Sequence, residues 1–178
     1  MPSSMSLFPF DAMWRETGNA FRSLELVRAG TKAVVLGLSP ADLDRSAVAD
    51  GPTIGRLLAH AGSAEAWWIH KVWRKESSPE AWRPMLAYGN LAKPPAPGAS
   101  PALAEILSFL DAVREATRLA LIKVTDPELD RASVATPEGS ATLRWVLFHL
   151  LEHEAHHRGQ IALTRRLIGK PADFSAKH

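Results

Sequence analysis

Apolar residues return at helical spacing in four separate stretches of the chain. From Asp11 to Leu38 the stripe is Trp14, Phe21, Leu24, Val27, Val34 and Leu38, and the turn "SPADLD" stops it, which predicts a first helix over that span. The second helix is expected from Pro52, a residue suited to a first helical turn because it has no N–H to leave unpaired, to about Arg74. Lys75 to Ser100 is proline-rich, with "KPPAPGASP" as its extreme, and reads as a long crossover with no packed element of its own.

Ser100 and Pro101 supply a cap and first turn for the third helix, "ALAEILSFLDAVREATRLALIKV", after which "TDPELDRASVATPEGS" is irregular. Ser140 is expected to cap the last helix, "ATLRWVLFHLLEHEAHHRGQIALTRRLI", and Gly169 to close it in a left-handed conformation, with Pro171 just beyond and a loose tail over 170–178. No alternating run is long enough for a convincing strand, and no repeat of fixed period occurs. The pattern predicts one all-α domain over 1–178, a four-helix bundle with a long crossover between helices two and three.

Composition narrows the function more than the fold. At 178 residues and 46% hydrophobic, the chain is large enough to bury a core. Its 21 basic residues are balanced by 19 acidic ones scattered among them, and the longest basic cluster, "TRRL", is too small for a nucleic-acid groove. The absence of cysteine excludes disulfides, thiolate ligands and a cysteine nucleophile together, so any thiol must come with a substrate. The start "MPSSMSLFPFDAMW" lacks the features of a signal peptide and no run of about 18 apolar residues exists, so a cytoplasmic location without membrane contact is expected.

The last helix carries the chemistry. In "HLLEHEAHHRGQI", four of the seven histidines fall within nine positions, and "HEAHH" matches the HExxH pattern of zinc proteases. At about 100° per residue, His153 and His157 lie about 40° apart and one turn apart, so both rings can address one point, whereas His156 falls about 60° to the other side. Flanking Val146, Leu147, Leu150, Leu151 and Ile161 put this stripe beside the core, where unpaired imidazoles are costly to desolvate and a metal ion removes that cost.

A third ligand has to be found elsewhere. The longer protease motif needs Gly where Gln160 stands, little chain remains beyond it, and no strand is available to hold an extended peptide, so a protease is disfavoured. A di-iron bundle needs a second Glu-x-x-His besides Glu154 and His157, and there is none. Upstream, His60 sits among Ile54, Leu57, Leu58 and Ala61, while His70 precedes "KVWRK" near the helix end, where exposure is expected. His60 is the better third ligand. Three neutral imidazoles leave a coordination position open for water or substrate, the arrangement of a catalytic site.

With "HAGSAEAWW" on the second helix and "HEAHHRGQI" on the last, the sequence resembles the DinB/YfiT-like family of metalloenzymes. The resemblance covers nearly the whole chain, including "LSPADLD", "TPEGSATLRWVLFHLLEHEAHHRGQI" and the place of the long crossover. It implies an up-down-down-up four-helix bundle, a homodimer, and a divalent ion, zinc or nickel, held by His60, His153 and His157. It also implies kinship with transferases and isomerases that use low-molecular-weight thiols such as bacillithiol or mycothiol, and it carries no implication of DNA binding.

Of the remaining residues, Glu65 lies about 140° around its helix from His60 and is expected in an ion pair or dimer contact. Glu154 and His156 are the candidate proton carriers. Gln160 is placed to orient a ligand or bound water, and Arg158 to bind a substrate carboxylate or pair with a neighbouring glutamate. Trp67, Trp68 and Trp145 are expected in the core. The expected function is a metal-dependent enzyme that activates a small thiol, or water, against a small-molecule substrate; metal-assisted hydrolysis and a non-catalytic metal-binding or dimerisation module are the alternatives.

Overall fold

The computed structural model describes residues 13–93, 100–136 and 139–172; Asp11, the expected start of the first helix, and the tail from 173 lie outside them. Its described residues are mostly helical. The long helices are α1 (Arg15–Val35), α3 (Ile54–Ala66), α5 (Leu103–Leu121) and α7 (Leu143–Leu167). Short helices α2 (Pro40–Leu43), α4 (Arg83–Tyr88) and α6 (Asp126–Leu129) lie in the connections. Helix α1 packs against α7 and α5, and α3 packs against α5 and α7.

The ends of these helices are fastened by specific groups. Trp14 offers α1 no side-chain cap, but Asp126 from α6 accepts from the backbone N–H groups of Glu16 (2.9 Å) and Thr17 (3.1 Å), which occupies two otherwise unpaired donors. At the other end, the Arg165 guanidinium of α7 donates to the carbonyls of Val34 (2.6 Å) and Leu36 (3.1 Å). The "SPADLD" turn is itself helical: Ser39 and Asp42 form a reciprocal capping box around α2, with Pro40 in its first turn. Gly169 ends α7 at φ 74°, as its sequence position predicts.

Several boundaries differ from expectation. The cap of α3 is Thr53, so Pro52 stands before the helix, and from Trp67 to Arg74 the winding changes to a π-helix that Lys75 closes at φ 57°. Helix α5 starts after Ala102, whose N–H donates to Glu105 (2.7 Å), and not at Ser100. The crossover is not featureless: a 3₁₀ turn (Glu80–Trp82) and α4 bury Trp82 and Tyr88 against the long helices.

A hairpin also forms where no strand was expected. Strands β1 (Ala132–Thr136) and β2 (Gly139–Thr142) pair antiparallel, with Val134 opposite Ala141 and a register irregularity between Ala132 and Val134. The strands are too short for an alternating signature, and it is the burial of Val134 against Leu121, Leu129 and Leu143 that holds them. Ser140 is therefore in a strand, and Thr142 caps α7 by accepting from the Trp145 N–H.

Two large apolar clusters make up most of the core, beside a smaller one of Ala66, Trp82, Phe109 and Val113. One apolar cluster contains Phe21, Leu24, Ile69, Leu121, Leu147 and Leu150; the other contains Val34, Leu57, Leu58, Ile106, Leu110 and Ile161. Between them in sequence, on every long helix, stands a buried charge: Arg28 on α1, Glu65 on α3, Arg114 on α5 and Glu154 on α7. Arg28 reaches Glu154 (2.7 and 3.0 Å), Glu65 (2.8 Å) and the Leu110 carbonyl (2.9 Å). Arg114 grips Glu65 (2.8 and 3.0 Å), approaches Glu154 (3.4 Å), and donates to Glu25 (2.9 Å) and the Leu24 carbonyl (2.6 Å). Burial by itself would raise the Glu65 carboxyl, but the charges of Arg114 and Arg28 outweigh it and hold the group ionised below its ordinary range.

Because removing one member strands an uncompensated charge in this layer, Arg114→Met or Glu154→Leu should each lower unfolding stability by about 3–5 kcal/mol. Replacing Arg28, Arg114, Glu65 and Glu154 together by apolar residues of similar volume should cost less than either single change. Urea denaturation measures both. Single changes that cost under about 1 kcal/mol would show that the layer is not structurally coupled.

Candidate metal centre

Helix α7 presents two faces with different contents. Leu147, Leu150, Glu154 and Ile161 recur at core spacing and point inward, and a rotation of about 100° from Glu154 brings His153 to the side facing α3. His157 follows His153 by one turn. From α3, His60 meets them: its ring centroid lies 4.9 Å from that of His153 and 5.0 Å from that of His157, while the latter two are 4.5 Å apart. One ring nitrogen from each of the three falls within 4.8 Å of the others.

The unused ring nitrogens are tied down in a way that frees the inward ones. His60 Nδ1 lies 2.9 Å from the Gly89 carbonyl, which can only accept, so the proton sits on Nδ1 and Nε2 carries the lone pair. His157 Nδ1 lies 2.7 Å from Gln160 Oε1, which fixes the same tautomer. The Nε2 atoms of His153 and His157 are 3.3 Å apart, the separation of about 3.3 Å that two nitrogens have when each is about 2.0–2.1 Å from a tetrahedral ion. The three nitrogens could therefore hold a divalent metal ion.

Electrostatics keep the rings neutral and ready to ligate. Burial, followed by the proximity of His157 and His60, pushes His153 down to about 3. Burial also lowers His60, against the opposing effect of its bond to Gly89, and lowers His157, against that of Gln160.

The loop that carries Gly89 is pressed onto α3. A Cβ at Gly89 would stand 2.8 and 2.9 Å from the Ala59 backbone, and the Arg56 guanidinium donates to the carbonyls of Asn90 (2.7 Å) and Lys93 (2.8 Å) just beyond. This loop also walls a cleft of about 640 Å³ to which His60 and His153 contribute. Ser63, Trp67, Trp68 and Lys71 of the second helix line it as well. Trp68 is held edge-on by Trp67, Trp145 and His149, and His149 stacks flat on Trp145 (centroids 5.1 Å, 3°).

The other expected site residues fall elsewhere. Glu154 is placed away from the histidines: it follows the core stripe and its carboxylate is taken by Arg28 and Arg114. His156 is exposed on the outer side of α7, and neither residue lines the cleft. Arg158 leans against α1, where a Cβ at Gly30 would overlap its guanidinium, so it is turned from the cleft toward a different helix. Gln160 lies where expected, on His157.

His70 lies in the π-helix and is buried, not exposed, packed on Trp82 at 5.3 Å. Trp67 and Trp145, 49% and 44% exposed, are not core residues. Glu65 is in an ion pair, as expected. The stripe His60, Ala64, Trp67, Lys71 runs at spacing 4, 3, 4 along the second helix, and that spacing was the signal that the tryptophans and Lys71 share a face with the ligand.

The family model described as mycothiol-S-transferase matches residues 20–169, which include all three histidines and the cleft. No curated protein matches the chain.

Because Gln160 and the Gly89 carbonyl hold two of the three rings, Gln160→Ala should weaken zinc binding about 10- to 100-fold without unfolding the protein. Gly89→Ala, which forces the loop away from Ala59, should weaken it as well, and His156→Ala should leave it unchanged. Competition with a chromophoric chelator reads all three. Wild-type affinity in Gln160→Ala would show that the ring needs no such support.

Proposed function

The chain belongs to the mycothiol-S-transferase family, within the DinB/YfiT-like proteins, and from that premise we propose that it is a metal-dependent enzyme transferring a low-molecular-weight thiol to a small electrophile. The single observation that carries this reading is the convergence of His60, His153 and His157, the first two of which line a cleft large enough for a small molecule. A bound divalent ion, zinc or nickel, supplies a Lewis acid there that lowers the pKa of a thiol or water near neutral pH.

The chain's own residues do the rest. His60, His153 and His157 present lone pairs toward one point, and Gln160 and the Gly89 carbonyl hold two of those rings in the required tautomer. Trp67 and Trp68 exclude water from one side of the cleft. With Glu154 consumed by the arginines, the described residues bring no carboxylate to the cleft wall, so the thiol proton passes to solvent. The lack of cysteine accords with a thiol that arrives as cosubstrate.

The reading includes a single domain with up-down-down-up helices. The order of residues in the two core clusters supports that topology: α1 and α7 run from the cluster of Leu24 and Leu147 toward that of Val34 and Ile161, and α3 and α5 run the other way. It also includes a cytoplasmic homodimer, in keeping with the exposed Trp145, Phe148, Leu163 and Leu167 along the outer side of α7. Among the described residues no helix is long and apolar enough to cross a membrane.

Purified protein should contain about one divalent ion per chain, run as a dimer in light scattering, and transfer mycothiol to a monohaloalkane probe, with the conjugate read by mass spectrometry. His60→Ala should lose the ion, the transfer and the chelator-sensitive part of the melting temperature together, because an ion that binds only the folded state stabilises it by mass action. Retention of metal in His60→Ala would move the third ligand to another residue, and metal-loaded protein that transfers no thiol would refute the reaction.

A further inference from the structure

The cleft is asymmetric along its length in a way that the ligand set does not explain. One end holds His60 and His153. The other holds Lys71, eleven residues along the same helical stripe, which places it at most roughly 16 Å from His60 at the rise of an α-helix. Between them the wall is aromatic: Trp67, half exposed, and Trp68, fixed by its three ring neighbours with its plane 85° from that of Trp67, with Leu86 and Leu91 on the loop side.

Among the described residues Lys71 is the only lysine, arginine or carboxylate side chain that lines the cleft. Among the described residues it makes no hydrogen bond or ion pair, in contrast to Arg74, which grips Glu76 one turn on. The π-helical winding that carries both Trp67 and Lys71 is an uncommon form, frequent at functional sites. An unpartnered cation beyond an exposed indole selects a ligand with an aromatic body and an anionic end.

We propose that the electrophilic substrate is an elongated aromatic acid, its ring packed on the half-exposed Trp67, its carboxylate on Lys71 and its reactive carbon at the histidine end. This rests on the thiol-transfer reading. The thiol sulfur forms the new bond to that carbon, the leaving group departs with the bonding electron pair, and the thiol proton goes to solvent. Lys71 and Trp67 then set which electrophile is accepted and take no part in activating the thiol.

The test measures binding alone, without thiol and without turnover. The protein is titrated with 6-methyl-2-naphthoate and with the neutral 6-methyl-2-naphthamide, followed by tryptophan fluorescence and calorimetry. The acid should bind about fivefold more tightly than the amide, in line with a solvent-exposed ion pair, and the difference should shrink as salt is raised. Lys71→Gln should abolish the difference and leave amide binding unchanged, and Trp67→Ala should weaken both ligands; both side chains are exposed, so the fold is not at stake.

Equal affinities in the wild type, no measurable binding of either probe, or a preference that survives Lys71→Gln would overturn the proposal, the last because the carboxylate would then be held at the histidine end. A protein that shows the Lys71-dependent preference but transfers no thiol refutes the transfer reading and leaves this binding specificity standing. Thiol transfer to neutral electrophiles without any Lys71-dependent preference does the reverse.

Discussion

The buried layer of Arg28, Arg114, Glu65 and Glu154 is the constraint on which the rest of this structure depends. It draws one charged residue from each long helix into a single network between two apolar clusters. Such a layer adds little net stability over a well-packed apolar one, because desolvating four charges offsets most of their attraction. What it supplies is register, since only one axial alignment of the helices pairs every charge, and a slipped helix would strand one of them in the core.

That register is what the candidate metal centre uses. Glu65 stands five residues beyond His60 on α3, and Glu154 stands next to His153 on α7. When Arg28 and Arg114 bridge Glu65 to Glu154, His60 is brought level with His153 and His157 from the neighbouring helix. The loop after α4 then finishes the site from outside, with the Gly89 carbonyl on His60 and Arg56 holding the loop down. Core charges, ligand spacing and loop closure thus form one mechanical chain, and the cleft opens on the side that this chain leaves free.

The long helices and the three histidines were legible in the sequence because helical spacing repeats over many residues, and because His153 and His157 share a helix. The finer elements were not. The hairpin rests on one buried valine, Val134, and the crossover's packing rests on Trp82 and Tyr88, tertiary contacts with no local period. The partners of Glu154 were not legible because an HExxH string says nothing of what lies across the core: Arg28 is 126 residues away in sequence. Trp67 and Trp145 were misread because large aromatic residues near a core stripe usually join it, whereas here they border an open cleft or solvent.

The most direct measurement is an anomalous-diffraction map of zinc-soaked crystals recorded on either side of the zinc edge. The account predicts one strong peak per chain, about 2.0–2.1 Å from Nε2 of each of His60, His153 and His157, with a further position toward the cleft and no contact with Glu154. A peak ligated by Glu154 or His156, or one that reaches His153 and His157 without His60, would contradict it.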